Sequence, residues 1–246
     1  MRYKITLSFN GAPFNGWQVQ PDAPSVQGTL EDALGRLLGF DAGVTGAGRT
    51  DTGVNAKGYV AHFDAPGTVD CAQIRYKLNA ILPASVVVHS VEQVPEGFHA
   101  RFSATRREYT YFLNRVKDPF VQNFSYWYGY PDLDFDAMNR AAAFLPGTRD
   151  FRCFEKTGAD NKTSVCTVFE AGWFKTDEDH WYFKISADRF LRNMVRAIVG
   201  TLLEVGRGKR TPESVLTLLE SGSRSDAGES VPGHALFLSG IEYPDL

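Results

Sequence analysis

No stretch of this sequence holds about 18 consecutive apolar residues, so it offers no transmembrane helix. Cysteine is scarce: Cys71, Cys153 and Cys166 are an odd number, without CxxC spacing or nearby histidine partners. A disulfide framework is therefore excluded, no metal site or cofactor is expected, and a reduced, cytoplasmic setting fits best. The start, Met1-Arg2-Tyr3-Lys4-Ile5, runs straight into an alternating pattern without the apolar core of a signal peptide. Charge of one sign is lacking too. The 26 basic and 29 acidic side chains give a formal net charge of −3. That disfavours a chain that coats nucleic acid indiscriminately, but it permits a local basic groove. Neither GxGxxG nor a Walker Gly-Lys-Ser/Thr pattern occurs, which weakens any nucleotide-phosphate reading. Tandem repeats and low-complexity segments are absent as well.

What is present is ordinary globular material. The 246 residues are 43% hydrophobic and 22% charged, enough for one large domain or two small ones. Tyr3, Ile5, Leu7 and Phe9 alternate with polar residues as in a half-buried strand. Ser25 precedes the stripe Val26, Leu30, Leu34, Leu37 and Leu38, predicting a capped helix. Asp70 and Gln73 form a capping pair before Ile74, Leu78 and Ile81, with a stop near Pro83. Strands are expected around 59–63, 85–91, 107–115, 164–174, 181–186 and 236–243, with helices over 135–145 and 189–205 and from Thr211-Pro212 onward. Strands adjoin strands as well as helices, so the predicted class is α+β with a largely antiparallel mixed sheet. We divide the chain into an N-terminal unit, 1–105, and a C-terminal unit, 106–246.

The basic residues are bunched. One group is Arg101, Arg106, Arg107, Arg115 and Lys117; another is Arg189, Arg192, Arg196, Arg207, Lys209 and Arg210, with Glu204 as the sole acid in that second group. If 189–205 is helical, Arg189, Arg192 and Arg196 fall within about 60° of one face. Leu191, Val195, Ile198 and Leu202 would then form a separate stripe toward the core. Such an arginine face is either solvated or built for phosphate contacts.

The most informative stretch is Gly46-Ala47-Gly48-Arg49-Thr50-Asp51-Thr52-Gly53-Val54-Asn55. Its glycines free the backbone, and it sets one carboxylate two positions from one guanidinium. Several readings compete. Asp51 could simply cap backbone N–H groups in a tight turn. Asp51-Thr52-Gly53 matches the short signature of aspartic proteases, but no second such tripeptide exists to share a proton and Arg49 would keep the carboxylate charged. A phosphate cradle lacks its motif. A nucleophilic aspartate acting on a nucleoside, with an aromatic ring stacked on the base and arginines on phosphates, uses the arginines and tyrosines together.

These motifs resemble the TruA-type tRNA pseudouridine synthases over residues 3 to 243. The likeness is carried by Gly16-Trp17-Gln18-Val19-Gln20, Ser25-Val26-Gln27, Gly48-Arg49-Thr50-Asp51 with Gly53-Val54, and Leu78-Asn79-Ala80-Ile81-Leu82-Pro83. It continues through Phe98-His99-Ala100-Arg101-Phe102-Ser103-Ala104, Tyr109-Thr110-Tyr111, Met194-Val195-Arg196-Ala197-Ile198-Val199-Gly200 and Val205-Gly206. One departure is Asn55, where the family usually has a histidine.

The resemblance implies two similar subdomains about a central basic cleft. It also implies a homodimer that isomerises uridine to pseudouridine at positions 38, 39 and 40 of the tRNA anticodon arm, without a cofactor or a membrane. It gives Asp51 as nucleophile, Arg196 as its ion-pair partner, Arg49 as the residue that fills the space of the flipped nucleotide, and Tyr109 as the platform for the target base. Lys57, Arg101, Arg106 and Arg192 are the phosphate-contact candidates. Tyr111 is expected in the core and Trp17 as a structural anchor, and no histidine is assigned to catalysis. The competing reading is a catalytically silent RNA-binding protein or tRNA chaperone in which Asp51 is idle.

Overall fold

The structure, a computed structural model, describes residues 1–158 and 162–244. In chain order the first elements are β1 (Arg2–Phe9), α1 (Val26–Leu38), β2 (Val44–Gly46), β3 (Asn55–Asp64), α2 (Cys71–Ile81) and β4 (Val86–Val94). There follow β5 (Arg106–Asn114), β6 (Tyr126–Trp127), α3 (Phe135–Ala142), β7 (Gly147–Asp150), β8 (Val165–Lys175) and β9 (His180–Ala187). The last are α4 (Met194–Gly206), α5 (Ser214–Ser221) and β10 (Leu236–Glu242). They form two compact units, Met1–Thr105 with Phe237–Leu246, and Arg106–Leu236. The sequence split at 105/106 left the last strand with the second unit, whereas Phe237 onward groups with the first. The α+β class with largely antiparallel pairing holds in both.

In the first unit the strand order is β4-β1-β3-β10, with β2 also on β3. Pairing is antiparallel except between β10 and β3, where Phe237 lies opposite Asn55 and Leu238 opposite Ala56. Alternation in β1 works as its pattern predicts: Tyr3, Ile5, Leu7 and Phe9 are buried. Helix α1 starts where Ser25, in an extended conformation, accepts the Gly28 N–H with its hydroxyl, and it ends at Gly39 in the left-handed region. Val26, Leu30 and Leu34 are buried beneath it, while Leu37 and Leu38 are half-buried. In α2 the Asp70 carboxylate accepts the Gln73 N–H, and Ile74 and Leu78 are buried. Ile81 is exposed instead of completing the stripe. The helix stops there because Leu82, preceding Pro83, is pushed to extended backbone (ψ 149°).

The second unit pairs its strands β5-β9-β8-β7, all antiparallel, with β6 parallel to the end of β5. Helix α3 is capped by Asp134, whose carboxylate accepts the Ala137 N–H, and it packs against α4. Every residue of α4 except Arg196 and Glu204 is buried. The close fit depends on glycine. A Cβ on Gly200 would lie 1.7 Å from the Glu229 carbonyl oxygen.

The arginine-faced helix expected from residue 189 does not exist. The helix begins only at Met194. Asp188 Oδ1 accepts the N–H groups of Arg189 (2.7 Å) and Thr167 (2.8 Å), turning the chain sharply as it leaves β9. Asn193 then sits in the left-handed region (φ 66°), which ends any helical run from before it. Arg189, Arg192 and Arg196 therefore share no helical face. Helix α5 opens two residues after Pro212, through a tight turn in which Val215 N–H reaches the Pro212 carbonyl.

Candidate active site

The loop from Gly46 to Asn55 is held by backbone contacts within the first unit. Two sequence-distant groups brace it. The first is the segment from Gly11 to Trp17. Trp17 N–H donates to the Thr50 carbonyl (3.3 Å), and Gly53 N–H donates to the Phe14 carbonyl (3.4 Å). Gly16 has φ 89°, and a Cβ there would stand 2.3 Å from the Thr50 oxygen. Gly11 is as tightly placed, since a Cβ on it would lie 2.2 Å from the Val54 oxygen. Only glycine allows backbone to lie on backbone so closely.

The second brace lies behind the loop. Trp17, 3% exposed, stacks on Tyr59 of β3 with centroids 4.2 Å apart. The Tyr59 hydroxyl donates to the Gly48 carbonyl and accepts the Gly48 N–H (3.3 Å). At the far end Asn55, 1% exposed, accepts the Gly11 N–H on its side-chain oxygen at 2.9 Å. The residue that departs from the family pattern is thus a structural tie between the loop and the Gly11 segment. An amide performs that task without a titratable proton.

On this frame Arg49 is exposed and Asp51 half-buried, and the Asp51 carbonyl accepts the Val54 N–H (3.1 Å) to close the turn. Thr50 between them is buried, and its hydroxyl oxygen has no hydrogen-bond partner among the described residues. Lys57 is exposed on β3 with its ammonium 5.5 Å from the Phe237 ring centre. Arg101 is exposed beside Phe102, itself 75% exposed. Histidine does supporting work nearby. His62 Nδ1 accepts the Ala100 N–H (3.1 Å), and burial, with Arg2 nearby, lowers its pKa to about 4.

The second unit carries the other expected residues. Tyr109 lies on β5, half-buried, with its ring edge-on to Phe190 at 5.0 Å. Tyr111 is fully buried and donates to the Pro232 carbonyl, as expected of a core residue. Arg196, on the first turn of α4, donates from Nε to the Val231 carbonyl (2.7 Å). Arg192 is exposed in the turn before α4. Arg106 is engaged by Glu170 at 2.5 Å, so any phosphate must compete with a carboxylate for it. Cys153 and Cys166 are buried and their thiols pushed up to about 12, which removes them as nucleophiles at neutral pH. No cluster of three or more potential metal ligands, and no helix long and apolar enough to cross a membrane, occurs among the described residues. A concavity of about 730 Å³ in this unit, between Asp132 and Pro212, has none of residues 46–55 in its lining.

Reading the sequence alone missed Gly11, Tyr59 and the tie made by Asn55. A signal existed for the first, because Gly11 and Gly16 flank a short Ala-Pro-Phe-Asn run typical of a tight, close-packed turn.

One carboxylate and one guanidinium on a braced loop of an α+β frame leave the chemistry broad. Comparison with known proteins narrows it. A family model described as tRNA pseudouridine synthase matches residues 141–244. The tRNA pseudouridine synthase A of Bacteroides fragilis is 48% identical over 244 residues, covering 99% of this chain and 96% of the relative. That of Porphyromonas gingivalis is 46% identical over 246 residues, covering 99% and 97%. That of Bacillus subtilis is 42% identical over 247 residues and covers 99% of both chains. The chain belongs to the tRNA pseudouridine synthase family.

Proposed function

We propose that this chain isomerises uridine to pseudouridine at positions 38, 39 and 40 of the tRNA anticodon arm, with Asp51 as nucleophile. The reaction breaks the N1–C1′ bond, turns the uracil and joins it through C5, while the C5 proton is lost and N1 gains one. Atoms and electrons balance within the substrate, so neither a redox partner nor a group donor is needed. The carboxylate serves by bonding transiently to the sugar or the base, or by assisting a glycal.

The target nucleotide must leave its stack first, at a cost of a few kcal/mol. Tyr109 offers a ring face worth about 1–3 kcal/mol per stacked base, and Arg49, exposed at the loop tip, takes up the vacated space. Arg196 serves as the ion-pair partner of Asp51. Lys57, Arg101, Arg106 and Arg192 neutralise phosphates, and removing any one should flatten the salt dependence of RNA binding. The active form is a homodimer and works in the cytoplasm.

The observation that supports this most is the loop itself. Arg49, exposed, and Asp51, half-buried, sit on a loop that close packing against Gly11 and Gly16 braces, in a chain 42–48% identical to named tRNA pseudouridine synthases. The test is incubation with an unmodified tRNA transcript followed by mapping of pseudouridine. Asp51→Asn should lower the rate on the order of 10⁴-fold or more while leaving folding and RNA affinity intact. Near-normal pseudouridine formation by that variant would overturn the reading.

A further inference from the structure

Tyr59 braces the 46–55 loop but has been given no part in the reaction, yet it touches that loop more closely than a core residue needs to. Its ring is fully buried, stacked on Trp17 at 4.2 Å and met edge-on by Phe9 at 5.5 Å. Its hydroxyl both donates to the carbonyl and accepts the N–H of one residue, Gly48. Gly48 immediately precedes Arg49 and lies three positions before Asp51. Glycine has no side chain to restrict its own backbone, so a bond to each of its peptide groups supplies the missing constraint. Gly46 makes room for that contact. A Cβ at position 46 would fall 2.3 Å from the Tyr59 oxygen and 2.5 Å from the Trp17 ring. Strand pairing fixes Tyr59 in turn, opposite Leu7 on β1.

We infer that Tyr59 is a positioning residue for the reaction: its hydroxyl clamps the Gly48 backbone and so aims Arg49 and Asp51. This rests on the reading of Asp51 as nucleophile. A buried phenol with a satisfied hydroxyl is common in cores and can matter for stability alone, so the claim needs a matched comparison. Tyr3 provides one within the same unit. It is fully buried, and its hydroxyl accepts the Val69 N–H (3.2 Å) and donates to the Gly67 carbonyl (3.5 Å), yet neither partner belongs to the catalytic loop.

The experiment compares Tyr59→Phe with Tyr3→Phe, using the full chain and an unmodified tRNA transcript. Each variant loses one oxygen that bridges backbone groups, so both should lower Tm by a similar few degrees. Only Tyr59→Phe should slow the single-turnover rate at saturating RNA, by about 10- to 100-fold, because a misplacement of about 1 Å at a reacting group has that scale of effect. Its Kd for the transcript should stay within about twofold of wild type, since the clamp acts on geometry and not on phosphate contacts. Equal rates for the two variants, whether both near wild type or both reduced in step with Tm, would overturn the clamp. Should Tyr59→Phe fail to fold, Gly46→Ala tests the same contact by forcing the phenol and indole away, and a wild-type rate from that variant would also refute it. Asp51→Asn, run alongside, separates the two ideas. An inactive Asp51→Asn with a fully active Tyr59→Phe sinks the clamp alone, while an active Asp51→Asn sinks the reading beneath it.

Discussion

Two sharp turns present the residues of interest, and they are built by opposite means. In the first unit, residues 46–55 are placed largely by backbone lying on backbone: Gly16 against Thr50, Gly11 against Val54, and a phenol on Gly48. In the second, residues 187–196 are placed by polar side chains. Asp188 gathers two N–H groups, Asn193 donates to the Ser230 hydroxyl, and Arg196 donates to the Val231 carbonyl. Backbone contact tolerates no added atom. Side-chain capping yields step by step, one hydrogen bond at a time. The first turn is therefore the more rigid of the two and the less forgiving of substitution.

The largest expected effect tests that contrast directly. Gly16→Ala combines a left-handed φ with a Cβ 2.3 Å from the Thr50 oxygen, and it should cost about 3–5 kcal/mol of stability in urea unfolding. A cost below about 1 kcal/mol would mean that the Gly11–Trp17 segment is not the rigid buttress described.

Acid should separate the two units next. His62 is held neutral in the folded first unit, with its pKa lowered from 6.5 to about 4, whereas the unfolded chain binds a proton there below 6.5. Stability is full above pH 6.5 and falls as pH drops toward 4, by about 2–3 kcal/mol in all. In the second unit the Arg152 guanidinium holds the Asp150 carboxyl down to about 2, so its contribution is lost only as pH falls from 3.8 toward that value. Hydrogen exchange at pH 7 and pH 5 should accordingly show amide protection weakening in β1–β3 before β7–β9. Simultaneous loss in both units would erase the distinction.

The smallest effect lies at the second turn. Asn193→Ala places an ordinary side chain at φ 66° and removes the bond to Ser230, costing about 1–2 kcal/mol in denaturant titration. Asn193→Gly should recover the backbone part of that loss. If both variants matched wild type, side-chain capping would not be what sets this turn.

The same contrast explains what the sequence disclosed. Local chemistry was legible: the Ser25 and Asp70 caps, the alternation of β1 and the carboxylate beside a guanidinium are all written within a few adjacent residues. Trp17 and Tyr111 also proved to be packing residues. The arginine-faced helix was misread because Leu191 sustains the apolar period through a turn that Asp188 and Asn193 create. Periodicity registers burial, and Leu191 is buried, but it does not register a left-handed φ. What the supports of the loop touch was illegible for another reason. Gly16 meets Thr50, and Asn55 meets Gly11, across more than thirty positions of chain, a distance over which no local pattern operates.

One pairing reaches further than its two rungs suggest. Phe237 and Leu238 lie beside Asn55 and Ala56, so the start of β3, paired with β1 on one side, gains its other neighbour only from β10. During translation a nascent polypeptide can assemble β1, β3 and β4 early, but it must wait for more than 140 further residues before β10 covers the start of β3. A protein truncated before Phe237 leaves the exit of the 46–55 loop as an open sheet edge, prone to pairing with the wrong partner.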